Sequence, residues 1–186
     1  MKFSKKSEYG LRALLELAGA GDETSPPDAS SSTRTFVPRL LQRHDIGQRQ
    51  RIPVEFLEQI LLALKRAGIV ASQRGARGGY RLIKSPEEIT VGQIIRILDG
   101  PLAPIACVSV TAYQTCQDCP HATASFCPIQ VAMRDVRDAI ADILDHYTLA
   151  QMAASGPHTR PGSPAAAPGA ATKRAGSIVP EKRIRP

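Results

Sequence analysis

All four cysteines of this 186-residue chain fall between residues 107 and 127, in the stretch CVSVTAYQTCQDCPHATASFC. The spacing is Cys107-x8-Cys116-x2-Cys119-x7-Cys127. A Cys-x2-Cys pair can chelate one metal atom, and flanking thiolates can close a soft four-sulfur shell around it. Zinc and an iron–sulfur cluster, 2Fe-2S or 4Fe-4S, both accept such ligands. Structural zinc sites usually present two short chelating turns. Only one short pair is present here, and the outer cysteines stand alone on long arms, so the spacing favours a cluster over zinc. Four unrelated free thiols would not be expected to gather in one segment of a chain that has no other cysteine. A thioredoxin-like role for CQDC lacks the strand of a preceding βαβ unit. His121 is a further candidate ligand, although a loop histidine is ordinarily just solvated.

A thiol loop needs elements to hold it. After it comes PIQVAMRDVRDAIADILDHYTLAQM, in which Ile129, Met133, Val136, Ile140, Ile143, Leu144 and Tyr147 recur at steps of three and four. This predicts a long helix with one apolar stripe, which must be buried somewhere; a homodimer does so economically. Thr148 with Gln151 predicts a cap on a last short turn. Ahead of the loop, the pattern predicts a helix over about Ser4–Ala18, closed by Gly19 and Gly21. DETSPPDASSSTRT, at 22–35, reads as a flexible surface insert. Pro38 is placed to open the next helix, with Leu40, Leu41 and Ile46 as candidate core positions.

The strongest helical signal is IPVEFLEQILLALKRAG, residues 52–68, where Leu57, Ile60, Leu61 and Leu64 form one stripe and Gly68 ends it. IVASQRGARGGYRLI, at 69–83, predicts a hairpin around a glycine-rich, arginine-bearing tip. Thr90 with Gln93 predicts a capping box before Val91, Ile94, Ile95 and Leu98.

Charge divides along the chain. Residues 1–100 carry 16 Lys/Arg against 11 Asp/Glu, residues 101–152 carry 2 against 5, and residues 153–186 carry 6 against 1. A basic front half and tail favour a polyanionic partner without specifying one. No apolar run reaches the roughly 18 residues that span a bilayer. Glu8 and Glu16 interrupt the stretch a signal peptide would need, which places the protein in the cytoplasm with reduced thiols. His44, His121, His146 and His158 are scattered, and no nucleophile–base pair or phosphate-binding glycine loop is visible, so no enzyme and no small-molecule substrate are expected.

Two helices, with the second the stronger, followed by a basic hairpin make the order of a winged helix-turn-helix. Residues 45–67 place a short helix, a tight connection around Arg51–Pro53 and a second helix able to enter a major groove. FLEQILLALKRAGIVASQRGARGGYRLIKSPEEITVGQIIRILDG resembles the IscR/NsrR-like (Rrf-type) family of bacterial winged-helix transcriptional regulators, which depend on iron–sulfur clusters. SKKSEYGLRALLELA resembles that family's first helix, and TLAQM the segment closing its dimerisation helix. The resemblance covers about residues 1–152, apart from the insert.

The resemblance implies a mainly α fold with a small β-wing. Its winged helix-turn-helix domain would span residues 1–100, with a flexible insert at 20–36. A cysteine-rich cluster loop at 101–128 and a dimerisation helix at 129–152 would follow, ahead of a disordered basic tail at 153–186. It implies a homodimer on a double-stranded operator, with Val54, Glu55, Phe56, Glu58 and Gln59 on the recognition helix and Arg74, Gly75, Arg77 and Gly78 in the wing. Glu58 is expected to accept from a cytosine amino group and Gln59 to pair with adenine. Ala76 and Arg77 depart from the family's glycine- and proline-rich wing and add a positive charge. The family places three cysteines in the loop and varies the fourth ligand. Cys107 and Cys127 match the outer two, and Cys116 or Cys119 the middle one. One branch supplies a histidine three residues after the last cysteine, where this chain has Gln130, a poor ligand. The spare cysteine fills the fourth place, so the expected ligands are Cys107, Cys116, Cys119 and Cys127.

Overall fold

Leu57, Ile60, Leu61 and Leu64 lie on one side of a helix spanning Val54–Arg66 and are wholly buried. They form the centre of the core in the computed structural model, which describes residues 3–19, 36–75, 77–117, 119 and 127–155. The expected insert, Phe36 excepted, and the tail beyond Ser155 lie outside those residues.

Among the described residues, six α-helices and one hairpin follow in the order α1 (Lys5–Gly19), α2 (Arg43–Gln50), α3 (Val54–Arg66), β1 (Val70–Gln73), β2 (Gly79–Leu82), α4 (Val91–Asp99), α5 (Pro128–His146) and α6 (Leu149–Ala154). Ser4 Oγ accepts from the amides of Lys6 and Ser7, satisfying donors that the first turn of α1 cannot. α1 crosses α4 at Gly10, where a side chain would collide with Leu98, and meets α3 through an edge-on contact of Tyr9 with Phe56 at 5.7 Å. Thr90 Oγ1 accepts from Gln93 N at 3.2 Å, but Gln93 does not return the bond, so only half of the expected box forms. The box at Thr148 and Gln151 is complete. β1 and β2 pair antiparallel from Val70↔Leu82 to Gln73↔Gly79.

One expectation fails. Pro38 opens no helix: residues 36–40 are irregular and α2 starts at Arg43. The backbone of Leu41 instead pairs with Tyr80, each amide donating to the other's carbonyl at 2.9 and 2.8 Å. Proline's fixed φ suits extended chain as well as a helix start, and pairing with a segment about 40 residues away selects the former. Leu40 and Leu41 are only half-buried, while Ile46 is fully buried. Gly79 makes this pairing possible, because a Cβ there would stand 2.5 Å from Leu41 O. Gly79→Ala is therefore expected to push the Leu41 segment off the hairpin and to lower stability by about 1–3 kcal/mol. Urea unfolding of variant and parent would measure it; coincident curves would count against the role.

After the hairpin the chain passes through α4 and out along α5. It returns at an antiparallel bridge, Thr90↔Thr148, with Val91 N donating to Tyr147 O at 2.9 Å and Leu149 N to Ile89 O at 2.8 Å. α6 then buries Leu149 in the main core and extends to Ala154, past the start expected for the tail.

α5 is attached differently. Leu144 and Tyr147 pack on Val91, Ile95 and Leu102 at its C-terminal end. There the Arg96 guanidinium grips both oxygens of Asp145, a hydrogen-bonded pairing that holds the Asp145 carboxyl below its ordinary range. Elsewhere on α5, Met133 and Ile140 are half-buried, but Ile129, Val136 and Ile143 are 66, 42 and 65% exposed. No helix among the described residues is long and apolar enough to cross a membrane.

Candidate functional site

The first part of the site is the face formed by α2, its turn and α3. Arg51 closes α2 in the left-handed region at φ 52°, where its amide donates to Gln48 O, and Ile52 N donates to Gly47 O at 2.9 Å. The backbone reverses within Arg51–Pro53 and sends α3 across α2. Buried Gly47 permits the close approach, since a Cβ there would meet Ile52 O at 3.2 Å.

With its apolar stripe committed to the core, α3 turns Glu55, Gln59, Leu62, Lys65 and Arg66 outward. The expected contact residues are thus split by the packing. Glu55 and Gln59 are exposed, whereas Val54 is half-buried and Phe56 turns its ring toward Tyr9. Glu58 is half-exposed and forms an ion pair with Arg43 of α2. That pair was not legible in the sequence, nor was the 46% exposure of Leu62, an apolar side chain on the outer face of α3.

The hairpin carries the second part. Gly75 takes φ 112°, a conformation open to glycine at little cost, and Gly78 N donates to Gly75 O at 2.9 Å to close the tip. A side chain at Gly78 would run into Gln73 O, so the turn requires glycine there. Arg74 and Arg77 are both exposed at this tip. Lys65 Nζ donates to Ser72 Oγ at 2.6 Å and ties α3 to the wing.

The third part is the thiol loop. Cys107 sits in a single 3-10 turn, Ala106–Val108, and is 8% exposed. Cys116 and Cys119 are exposed, and Cys127 is half-buried immediately before α5. No three His, Cys, Asp or Glu side chains among the described residues stand in metal-holding geometry. The Cys116 thiol is pushed above its ordinary pKa, first by its hydrogen bond with Cys107 and by that group's charge; a hydrogen bond with Cys119 opposes this and the charge of Cys127 adds to it. His121 lies outside the described residues.

Two side chains that sequence reasoning gave no positive role hold this turn against α5. Gln130, only 3% exposed, donates from Nε2 to Cys107 O at 2.8 Å. Arg137 donates from Nη1 to Val108 O at 2.6 Å. The one available signal was a polar residue, Gln130, in the first turn of a helix that follows a cysteine loop, and it does not reveal its partner.

Comparison with known proteins matches residues 3–155 to the Rrf2 family, described as an iron-dependent transcriptional regulator. The chain is 39% identical over 153 residues to an rrf2-like HTH-type transcriptional regulator of Rhodobacter capsulatus, covering 82% of this chain and 93% of that one. It resembles the structure of CymR (YrzC), the global cysteine regulator of B. subtilis, with a TM-score of 0.61 and 30% identity, covering 83% of this chain and 97% of the other. It resembles T. potens IscR with a TM-score of 0.60 and 28% identity, covering 87 and 94%. The helix-turn-helix, the two-stranded wing and these likenesses agree: the chain is a DNA-binding transcriptional regulator, not an enzyme, and belongs to the Rrf2 family.

Proposed function

We propose that this regulator acts as a cytoplasmic homodimer whose operator affinity is set by an iron–sulfur cluster, 2Fe-2S or 4Fe-4S, held by Cys107, Cys116, Cys119 and Cys127. The observation that carries the reading is the gathering of all four cysteines between residues 107 and 127, in a loop where the Cys107 carbonyl is already fixed to the long helix. Four soft donors suit such a cluster, which when bound would supply sensitivity to iron supply, redox state or nitric oxide. Gln130 and Arg137 join the backbone on either side of the Cys107–Val108 peptide to α5, so a change in the loop bears on the helix expected to join two protomers. A shift between two dimer arrangements alters how two copies of α3 meet their half-sites, and the free energy by which each arrangement is stabilised sets the coupling.

Anaerobic purification followed by an absorption spectrum and counts of iron and acid-labile sulfide tests this. Visible absorption with matched iron and sulfide is expected. Stoichiometric zinc without sulfide would replace the cluster by a zinc site, and neither metal would leave cysteine oxidation as the signal.

On DNA, Glu55, Glu58 and Gln59 of α3 address base edges, with Val54 and Phe56 setting the helix's seat. Arg74 and Arg77 meet phosphates, with Gly75 and Gly78 keeping the wing tip slim. Phosphate contacts position the protein and release counterions. Arg74→Ala and Arg77→Ala are each expected to weaken binding on all sequences alike and to reduce the slope of log K against log salt by about one. A titration at several salt concentrations reads both; an unchanged slope in each variant would remove the wing from the interface.

A further inference from the structure

The inward face of α3 is committed to the core through Leu57, Ile60, Leu61 and Leu64, all fully buried. Phe56 and Ala63 pack against that core from the edge of the stripe. Leu62 does neither. It is 46% exposed and, at about 100° of helix per residue, stands on the side opposite the stripe. A single leucine on a protein surface is ordinary, and the register is what makes this one informative. Glu55, Glu58, Gln59 and Leu62 follow one another at steps of three, one and three. That is the i, i+3, i+4, i+7 pattern with which a recognition helix can lay four side chains along a major groove. Three members of the set are polar and address base edges. Leu62, the fourth, can neither donate nor accept a hydrogen bond.

In a major groove this restricts what Leu62 can cover. Purines present N7 with O6 or an amino group there, and cytosine presents an amino group. A leucine laid over any of these would remove its water and return no hydrogen bond. Thymine presents an apolar group, its 5-methyl. We propose, on the reading that α3 enters the major groove, that Leu62 is a specificity-determining residue contacting the 5-methyl group of one thymine in each half-site. The contact supplies base identity through apolar burial, where Glu55, Glu58 and Gln59 supply it through hydrogen bonds.

Uracil is thymine without that methyl, so replacing thymines by deoxyuridine one at a time removes the contact and keeps the base pairing. The probe is a duplex selected from a randomised library by the anaerobically purified full-length protein. At one thymine per half-site the replacement is expected to weaken binding about fourfold, the contribution of one buried methyl, and about fifteenfold when both half-sites carry it. Leu62→Ala should be indifferent to the replacement at that position and accept cytosine there. Its thermal melt should coincide with the parent's, because the side chain lies outside the core and alanine favours a helix. Leu62→Met, which stays apolar, should retain the response. A selected half-site without thymine would overturn the proposal. So would a uracil response that Leu62→Ala shares with the parent, or no response at any position. Selection by Gln59→Ala from the same library keeps two failures apart. If it chooses the parent's sequence and the uracil response is absent, α3 lies outside the groove and both readings fall. If its choice changes while the response is absent, Leu62 alone loses its role.

Discussion

Placing aspartate at both Val136 and Ile143 is expected to yield a folded monomer with at least a hundredfold weaker affinity, roughly, for a two-half-site operator. Ile129, Met133, Val136, Ile140 and Ile143 follow one another at steps of four, three, four and three, the heptad spacing of a helix–helix seam. The 19 residues of α5 extend about 28 Å at 1.5 Å per residue, and the body of the protein holds the side bearing Gln130, Arg137 and Leu144 while Ile129, Val136 and Ile143 stay exposed. A second copy of α5 crossing on this seam would remove Ile129, Val136 and Ile143 from water, at about 25 cal/mol for each Å² of apolar surface. Two carboxylates on the seam reverse that gain, because each would have to be desolvated without a partner. Neither position touches the core of the winged domain, so the monomer keeps its fold. A lone protomer holds one recognition helix and forfeits the second half-site, hence the large loss. Sedimentation velocity and an operator titration read the two effects separately. A variant that stays dimeric, or a monomer that binds undiminished, would sink the assignment of this face.

Cys107→Ala and Cys127→Ala are each expected to abolish the visible absorption of the anaerobically purified protein, and Cys116→Ala or Cys119→Ala to diminish or abolish it. Cys107 is the most constrained of the four, being nearly buried in a turn whose carbonyls are held by Gln130 and Arg137. A ligand fixed in advance loses little freedom on binding, so its removal should be the most damaging. Cys127 leads directly into α5 and is the other anchored end of the loop. Alanine is smaller than cysteine and introduces no polar group, so the fold should hold, and a thermal melt of each variant checks this. DNA affinity of the Cys107 variant should equal that of the parent stripped of metal by a chelator. Full retention of iron and sulfide in Cys107→Ala would remove that residue from the ligand set.

Much of the architecture follows from local pattern. The stripe of Leu57, Ile60, Leu61 and Leu64 specifies α3 because a 3.6-residue period admits one buried face, and Thr148 with Gln151 specifies the start of α6 through two reciprocal bonds three residues apart. Gly75 and Gly78 set the wing tip because the first takes a positive φ and the second has no room for a side chain. The cysteine spacing raised the idea of a soft-metal loop for the same reason: chelation by Cys-x2-Cys is a short-range matter. The helical stripe of α5 was equally legible, and so was its lack of an obvious covering partner within the chain.

What remained for the tertiary structure involves residues far apart in sequence, or a choice between states that are locally equal. Pro38 fits a helix start and an extended chain alike, and only the pairing of Leu41 with Tyr80 decides between them. Phe56 reads as one more residue on a recognition helix until Tyr9 of α1 takes its ring, and Glu58 reads as a free carboxylate until Arg43 pairs with it. Gln130 was legible only as a failed ligand. Its burial, its bond to the Cys107 carbonyl and its unsatisfied oxygen exist because the turn at 106–108 folds back onto the first turn of α5 across 23 residues. Periodicity records which face of an element is buried, whereas the identity of the group across the gap depends on how the elements pack.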